Sequence, residues 1–286
     1  MNEWPLLVFT LLVQASVGMV LMGALAGGWL RRALTAEQHF TALRPLLLLA
    51  PVLAALGLLA SVAHLGYPLN AFHALRHVAS SWLSREILLA SLYLGIVGLA
   101  ALLALLTRRV SLLLLLLGGL VGLADVGCMA GIYINSAVIT WMHLNTAVMF
   151  YGTVISLGVM LGAAVLCRGP VSPELMQRLL LTALLGCIVA AAAHWLVTPG
   201  YLRFLAQAGA AQPVMLPFDA VAAFLRTAPL RVASAALLMG AIVLLVLLLG
   251  PARQRVGVIQ RGGLLAAALL VLLAQIGSRY AFFTLH

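Results

Sequence analysis

Long apolar runs separated by short polar connections are the dominant pattern of this 286-residue chain. A helix needs about 20 mainly apolar residues to cross the hydrocarbon core of a bilayer. Eight runs are long enough, and they predict eight transmembrane helices at residues 5–29, 43–65, 86–107, 110–134, 141–167, 177–198, 230–249 and 262–285. The pattern therefore predicts an all-α integral membrane protein, with residues 1–286 forming one bundle.

The composition supports this class of protein. Hydrophobic residues make up 65% of the chain and charged residues only 8%, whereas soluble domains carry about 25% charged residues. The net charge of +10 comes from 16 basic residues, all of them arginine, against six acids. Because the arginines stand singly or in pairs at the ends of apolar runs, they indicate membrane topology rather than nucleic-acid binding.

The distribution of arginine predicts the orientation of the bundle. Connections after the odd-numbered helices hold ten arginines, and connections after the even-numbered helices hold five. Positive charge is enriched on the cytoplasmic side of membrane proteins. Both termini are therefore predicted to lie on the outer, periplasmic face. The fourth span contains Asp125 and several glycines, so it is expected to pack inside the bundle.

Cysteine usage argues against a metal centre held by this chain alone. Cys128, Cys167 and Cys187 lie in or beside apolar runs and form no Cys-x-x-Cys pair. Zinc sites and iron–sulfur clusters use closely spaced cysteines. The three thiols are expected to act as small buried hydrophobic groups.

Histidines collect at the predicted outer ends of the spans. His64 ends the second span, His143 opens the fifth, His194 lies near the outer end of the sixth, and His286 ends the chain; only His39 falls in a cytoplasmic connection. Ionisable groups at membrane depth often mark a ligand or proton pathway. The alternative is that each histidine simply occupies the membrane interface.

The segment "AHLGYPLNAFHALRHVASSWLSREI" at 63–87 is the densest polar stretch. Its central part separates apolar and polar residues on two faces, which predicts an amphipathic helix in the outer interface. His73 and His77 are spaced i, i+4, but no third metal ligand is evident. Ser84 is expected to cap the third span, with Glu86 in its first turn; alternatively, Glu86 is a proton acceptor.

Three functional classes fit these features to different degrees. Quinol oxidation needs groups that bind ring oxygens and accept protons, which suits histidine and a carboxylate. A b-type haem needs two axial histidines, and His64, His143 and His194 are enough to supply them. A small-solute transporter is expected to show inverted repeats and broken helices, and neither is evident.

Several motifs resemble the membrane anchor subunit of dimethyl sulfoxide (DMSO) reductase, the DmsC family. They are "NEWPLLVFT" at 2–10, "HLGYPLNAFHALRHVASSWLSREI" at 64–87 and "IGSRYAFFTLH" at 276–286, with weaker similarity in "TWMHLNTAVMFY" at 140–151 and "LPFD" at 216–219. The resemblance implies eight helices with both ends outside and no haem or iron–sulfur cluster of the chain's own. It also implies a bacterial cytoplasmic (inner) membrane location.

The resemblance further implies a role in anaerobic respiration. Such a subunit anchors an iron–sulfur subunit and a molybdopterin catalytic subunit, and it oxidises menaquinol for them without reducing the terminal acceptor itself. In such anchors the positions of His64 and Glu86 are associated with the quinol site. Arg279 matches the arginine of the terminal motif and is expected to contact a quinone oxygen or a partner carboxylate.

Some positions depart from the family pattern. Tyr67 replaces the common serine before proline, and Gln275 stands where typical members carry a glutamate. The lost carboxylate leaves Glu86 as the expected acidic relay. Tyr67, His143, His194 and Gln275 are weaker candidates for quinol binding or proton transfer.

Overall fold

The computed structural model describes residues 4–32, 34–64, 75–169, 172–211, 219–250 and 258–285. This part of the chain forms nine α-helices and two 3₁₀ turns at Leu75–His77 and Ile139–Trp141. The helices are α1 (Trp4–Leu30), α2 (Ala36–His64), α3 (Trp82–Thr107), α4 (Leu112–Ile134), α5 (Leu144–Leu166), α6 (Pro173–Ala211), α7 (Ala220–Arg226), α8 (Ala228–Leu249) and α9 (Val258–Phe283).

Within the described residues, every helix except the short α7 is long and apolar enough to cross a membrane. The prediction of an all-α bundle with eight spans is confirmed. α6 continues to Ala211, past the predicted end at residue 198, although Pro199 lies inside it. The helix therefore continues through the mixed segment 199–211, in which Arg203 and Gln207 stand among apolar and small residues.

α1 lies at the centre of the bundle. It packs against α2, α4, α5 and α9, and 78% of its most apolar stretch is buried, against 22% for α8. Small residues allow this close packing, as is usual between helices in membranes. The side chains of Gln14 and Ser16 are consequently enclosed by protein rather than lipid.

A very close helix contact joins Gly18 of α1 to Gly158 of α5. A Cβ atom built on Gly18 would lie 2.6 Å from the Cα of Gly158 and would also collide with the carbonyl oxygen of Val154. Val154–Gly158 is a π-helical turn within α5. Such a turn holds one extra residue, and these turns are frequent at functional sites.

Several helix ends meet at what we call the Trp141 end of the bundle. The indole of Trp141 donates to the carbonyl oxygen of Phe282 at the end of α9, at 3.0 Å. Trp4, at the start of α1, contacts Tyr280 with ring centroids 5.7 Å apart. Trp82, at the start of α3, packs on Gly131 near the end of α4.

His39 lies at the opposite end of the bundle, where its Nε2 is 3.0 Å from the carbonyl oxygen of Gly27. The sequence analysis likewise predicts that His39 lies on the opposite side of the membrane from the outer histidines. The assignment of the Trp141 end to the periplasm remains a prediction.

The start of α3 differs from the prediction. Ser81, not Ser84, is the N-cap: its backbone is extended and its hydroxyl accepts the N–H of Ser84 at 3.4 Å. Glu86 therefore lies in the second turn of α3, and the role predicted for it at the helix end was wrong. Most of the predicted interfacial helix, including His73, lies outside the described residues; residues 75–80 form a 3₁₀ turn and a turn.

We expect Gly18→Ala to lower the free energy of unfolding by about 1–3 kcal/mol, because the new methyl group must push α1 away from the π turn of α5. Thermal unfolding of the purified chain in detergent measures this loss. Gly98→Ala in α3 is the matched control, since no atom lies within 4 Å of its built Cβ. An equal response of the two variants would contradict the proposed close contact.

Candidate functional site

A buried arginine on α9 is the centre of the longest-range polar contacts. The Nη2 of Arg279 donates to Oε1 of Gln14 on α1 at 2.6 Å and to Oγ1 of Thr153 on α5 at 3.0 Å. Its guanidinium carbon lies 3.9 Å from the ring centroid of Phe150. The side chain is only 1% exposed, so three helices enclose a charged group.

This arginine is incompletely satisfied. Its Nη1 has no hydrogen-bond partner among the described residues. A buried guanidinium is normally paired with a carboxylate or surrounded by acceptors. The predicted contact of Arg279 with a quinone oxygen or a partner carboxylate is not tested by this structure, but an unused donor faces the bundle interior.

Gln275, one turn before Arg279, extends the same network. Its Oε1 accepts the hydroxyl of Thr153 at 2.9 Å, and its Nε2 donates to Oγ of Ser156 at 3.1 Å. Both the oxygen and the nitrogen of the Gln275 amide form hydrogen bonds. A carboxylate at this position could not donate to Ser156. Gln275 therefore connects Arg279 to the π turn of α5.

Two carboxyl groups are buried where α3 meets α4. Glu86 is 6% exposed and Asp125 is 0% exposed. Tyr93 packs at Gly122, and Trp82 packs at Gly131, which sets the antiparallel register of the two helices. In that register Asp125 lies opposite residues 89–90, about one helical turn from Glu86.

Neither carboxylate oxygen of Asp125 has a hydrogen-bond partner among the described residues. The two acids are close enough to interact electrostatically. Two neighbouring carboxyl groups in a low-dielectric site cannot both be ionised without a large cost. This pair can therefore hold a proton inside the bundle.

A hydrogen-bonded pair of hydroxyl groups connects α3 to α1. The hydroxyl of Tyr93 is 2.6 Å from Oγ of Ser16, which also donates to the carbonyl oxygen of Ala50 at 2.7 Å. Tyr93 also interacts electrostatically with Asp125. The hydroxyl group of Tyr93 thus lies near Asp125 and is hydrogen-bonded to Ser16 of α1.

His143 has a local structural role. It is the N-cap of α5, and its Nδ1 accepts the N–H of Asn145 at 3.1 Å. Its ring lies against Tyr201 and Phe204, with centroids 5.3 and 5.2 Å away. Partial burial lowers the pKa of His143. A neutral ring is also the form whose Nδ1 accepts this hydrogen bond.

His194 faces a cleft between α5, α6, α8 and α9 that Gln275 also lines. The structure thus brings His194, Gln275 and Arg279 into one connected region, through Thr153. It places Glu86 in a separate group with Asp125. His64 ends α2, but its side chain, like Tyr67 and His286, lies outside the described residues.

Four polar residues that complete these groups were not predicted as site residues from the sequence: Gln14, Asp125, Thr153 and Ser156. A lone acid inside an apolar run was a signal for Asp125. Thr153 and Ser156 carried no signal, because such residues are common in membrane helices. No group of three metal-ligating His, Cys, Asp or Glu side chains occurs in the part of the chain that the structure describes.

Comparison with known proteins identifies a family and several curated relatives. The family model described as DMSO reductase anchor subunit (DmsC) matches residues 1–285. The protein is 33% identical over 168 residues to the YnfH subunit of an anaerobic dimethyl sulfoxide reductase of Escherichia coli, covering 58% of each sequence. It is 33% identical over 193 residues to the C subunit of anaerobic dimethyl sulfoxide reductase of the same species, covering 66% of each.

A third relative, the C subunit of anaerobic dimethyl sulfoxide reductase of Haemophilus influenzae, is 30% identical over 167 residues, which is 57% of this protein and 58% of the relative. The protein thus spans between 58% and 66% of the length of these curated relatives in the matched regions. No solved structure matches.

We expect Gln14→Leu to destabilise the protein by about 1–3 kcal/mol, because it removes an acceptor and leaves a buried charged donor of Arg279 unpaired. Thermal unfolding in detergent is the measurement. Gln177→Leu, at an exposed position of α6, is the matched control and should change stability little.

The double variant Gln14→Leu/Arg279→Met adds a second measurement. Removing both partners of a buried hydrogen bond can be nearly neutral, so it should recover part of the stability lost in Gln14→Leu. If the double variant loses as much stability as Gln14→Leu and Arg279→Met do together when measured singly, Gln14 and Arg279 act independently.

Proposed function

Because the chain belongs to the DMSO reductase anchor subunit family, we propose that it anchors an iron–sulfur subunit and a molybdopterin catalytic subunit to the bacterial inner membrane and oxidises menaquinol for them. The match over residues 1–285 supports the anchor role. The buried carboxyl pair of Glu86 and Asp125 is the observation that carries the proposal of quinol oxidation.

The proposed reaction needs both an electron acceptor and proton acceptors. Menaquinol loses two electrons and two protons and becomes menaquinone. The electrons pass to an iron–sulfur cluster of the partner subunit, since this protein is proposed to hold neither haem nor cluster. The protons pass to bases beside the quinol oxygens, and carboxylates suit this role when no cation is paired with them.

Glu86 is proposed as the group that accepts the first proton, with Asp125 as the next carrier. Glu86 lies in the second turn of α3, near the Trp141 end, and the family motif that contains it begins at His64. His64 is proposed to bind one quinol oxygen from the end of α2. The quinol tail would remain in lipid, and the reactive ring would enter at the ends of α2 and α3.

Arg279 is proposed to assist quinol oxidation from the side of α1 opposite Glu86. Its Nη1 is an unused donor, and its charge favours a negatively charged oxygen nearby. Thr153 and Gln14 hold the guanidinium in place. The neutral Gln275 leaves that charge available, since no carboxylate contacts Arg279 among the described residues.

We expect Glu86→Gln to lower menaquinol-dependent electron delivery about 100-fold or more, because the amide cannot accept a proton. The measurement is turnover of the assembled complex with a menaquinol analogue. An artificial donor that reduces the iron–sulfur subunit directly should still support the full rate. Glu174→Gln, at an exposed acid on α6, is the control and should keep full activity.

The Asp125→Asn variant distinguishes the role of Asp125 from that of Glu86. As a second carrier, Asp125 should affect the rate less than Glu86 does, and the variant should slow turnover without weakening quinol binding. His64→Ala should mainly weaken quinol binding. Full quinol activity in both Glu86→Gln and His64→Ala, with assembly intact, would rule out this location for the site.

The haem-carrying alternative has a direct test. A dithionite-reduced absorption spectrum of the purified complex should show no b-type α-band. A band that disappears in His143→Ala or His194→Ala would replace the proposal with a haem-carrying anchor.

A further inference from the structure

A cleft near the Trp141 end is not used by the proposed quinol chemistry. It lies between α5, α6, α8 and α9, and its volume is about 90 Å³. Five of its lining residues carry polar side chains, namely His194, Arg231, Ser234, Gln275 and Ser278. The remaining walls are mainly apolar, so a ligand here would have both a polar and an apolar part.

Arg231 is held rigidly at one side of this cleft. Its Nε donates to Oγ1 of Thr227 at 2.9 Å, and its guanidinium carbon lies 4.3 Å from the ring centroid of Phe224. Its Nη2 is buried and has no partner among the described residues. A charged donor is therefore fixed in position with one nitrogen unused.

Ser234, one turn further along α8, adds a second unused group. Its side chain is 6% exposed, and its hydroxyl oxygen has no hydrogen-bond partner among the described residues. Residues three apart on a helix share a face, so Arg231 and Ser234 present their donors to the same space. Two adjacent unsatisfied donors call for a ligand with more than one acceptor oxygen.

The charge of Arg231 defines the ligand further. No acidic side chain lines the cleft among the residues that the structure describes, and a buried cation is costly unless an anion or dipoles compensate it. A quinone carbonyl would accept a hydrogen bond but would leave the charge uncompensated. A phosphate group supplies both negative charge and several acceptor oxygens in a geometry that suits a guanidinium.

The cleft opens toward the lipid. Trp195 and Met239 line it and are 69% and 47% exposed, and both lie on spanning helices whose outer surfaces are apolar. Arg231 lies in the first turn of α8, which places it near the level of the lipid head groups. A ligand with a phosphate head and acyl chains therefore reaches Arg231 directly from the bilayer.

We propose that this cleft binds the phosphate group of an anionic phospholipid, through Arg231 and Ser234, with the acyl chains lying along α6 and α8. The lipid would supply the missing counter-charge and fix α8 against α6 and α9. Among the described residues, Glu86 does not line this cleft; Gln275 does, and it is connected to Arg279 only through Thr153.

Lipid-induced stabilisation of the full-length protein tests the proposal. The protein is stripped of lipid in detergent, and thermal unfolding is followed while phosphatidylglycerol is added. We expect the melting temperature to rise, and Arg231→Gln should need at least about tenfold more phosphatidylglycerol for the half-maximal rise. Arg226→Gln, an exposed arginine at the end of α7, is the matched control and should behave like the unmodified protein.

A second variant controls for the possibility that Arg231→Gln has a folding defect. Ala235→Phe fills the cleft but keeps Arg231, and it should weaken the response to phosphatidylglycerol as well. Each variant is compared with its own lipid-free melting temperature, so a general loss of stability does not imitate a loss of binding. Native mass spectrometry should show one fewer retained phospholipid in both variants.

Further arms of the experiment identify the source of the ligand. Inorganic phosphate at millimolar concentration should not raise the melting temperature; an equal rise would show a free-anion site and overturn the lipid assignment. A menaquinone analogue that raises it in the unmodified protein but not in Arg231→Gln would overturn the proposal in favour of a second quinone site. Equal responses of Arg231→Gln and Arg226→Gln to phosphatidylglycerol would also overturn it.

Discussion

The close approach of α1 to the π turn of α5 sets the geometry on which the polar interior depends. Gly18 and Gly158 bring the two backbones into contact, and Gln14 and Thr153, about one turn away on each helix, can then reach the same guanidinium. In lipid the hydrophobic effect gives little force between helices, so close packing and buried hydrogen bonds must hold the bundle. The close packing of α1 and α5 therefore lets both helices hydrogen-bond to Arg279.

Two of the polar centres lie on either side of α1. Glu86 and Asp125 lie between α3 and α4, where no ion pair to either carboxyl group is seen among the described residues. Arg279 and Gln275 lie between α1, α5 and α9, where none of the described residues places a carboxylate against the guanidinium. Separating opposite charges in this way leaves both centres able to interact with a proton or a ligand, whereas a direct ion pair would neutralise both.

The sequence was sufficient for the spans but not for the contacts between them. Apolar length alone predicted eight helices, since lipid requires it. The sequence predicts Ser84 as the cap of α3, whereas the extended backbone and the hydroxyl contact identify Ser81. The proximity of Glu86 to Asp125 depends on the register of α3 against α4, which no local pattern encodes.

The burial of α1 has a consequence for biogenesis. α1 leaves the ribosome long before α9, yet the acceptor on Gln14 is paired with a donor 265 residues later in the sequence. Until α9 has been inserted, this helix must stay in the bilayer or in the insertion machinery with its amide unpaired and its glycine surface uncovered. The final packing of α1 is therefore a late event, completed only when α9 arrives.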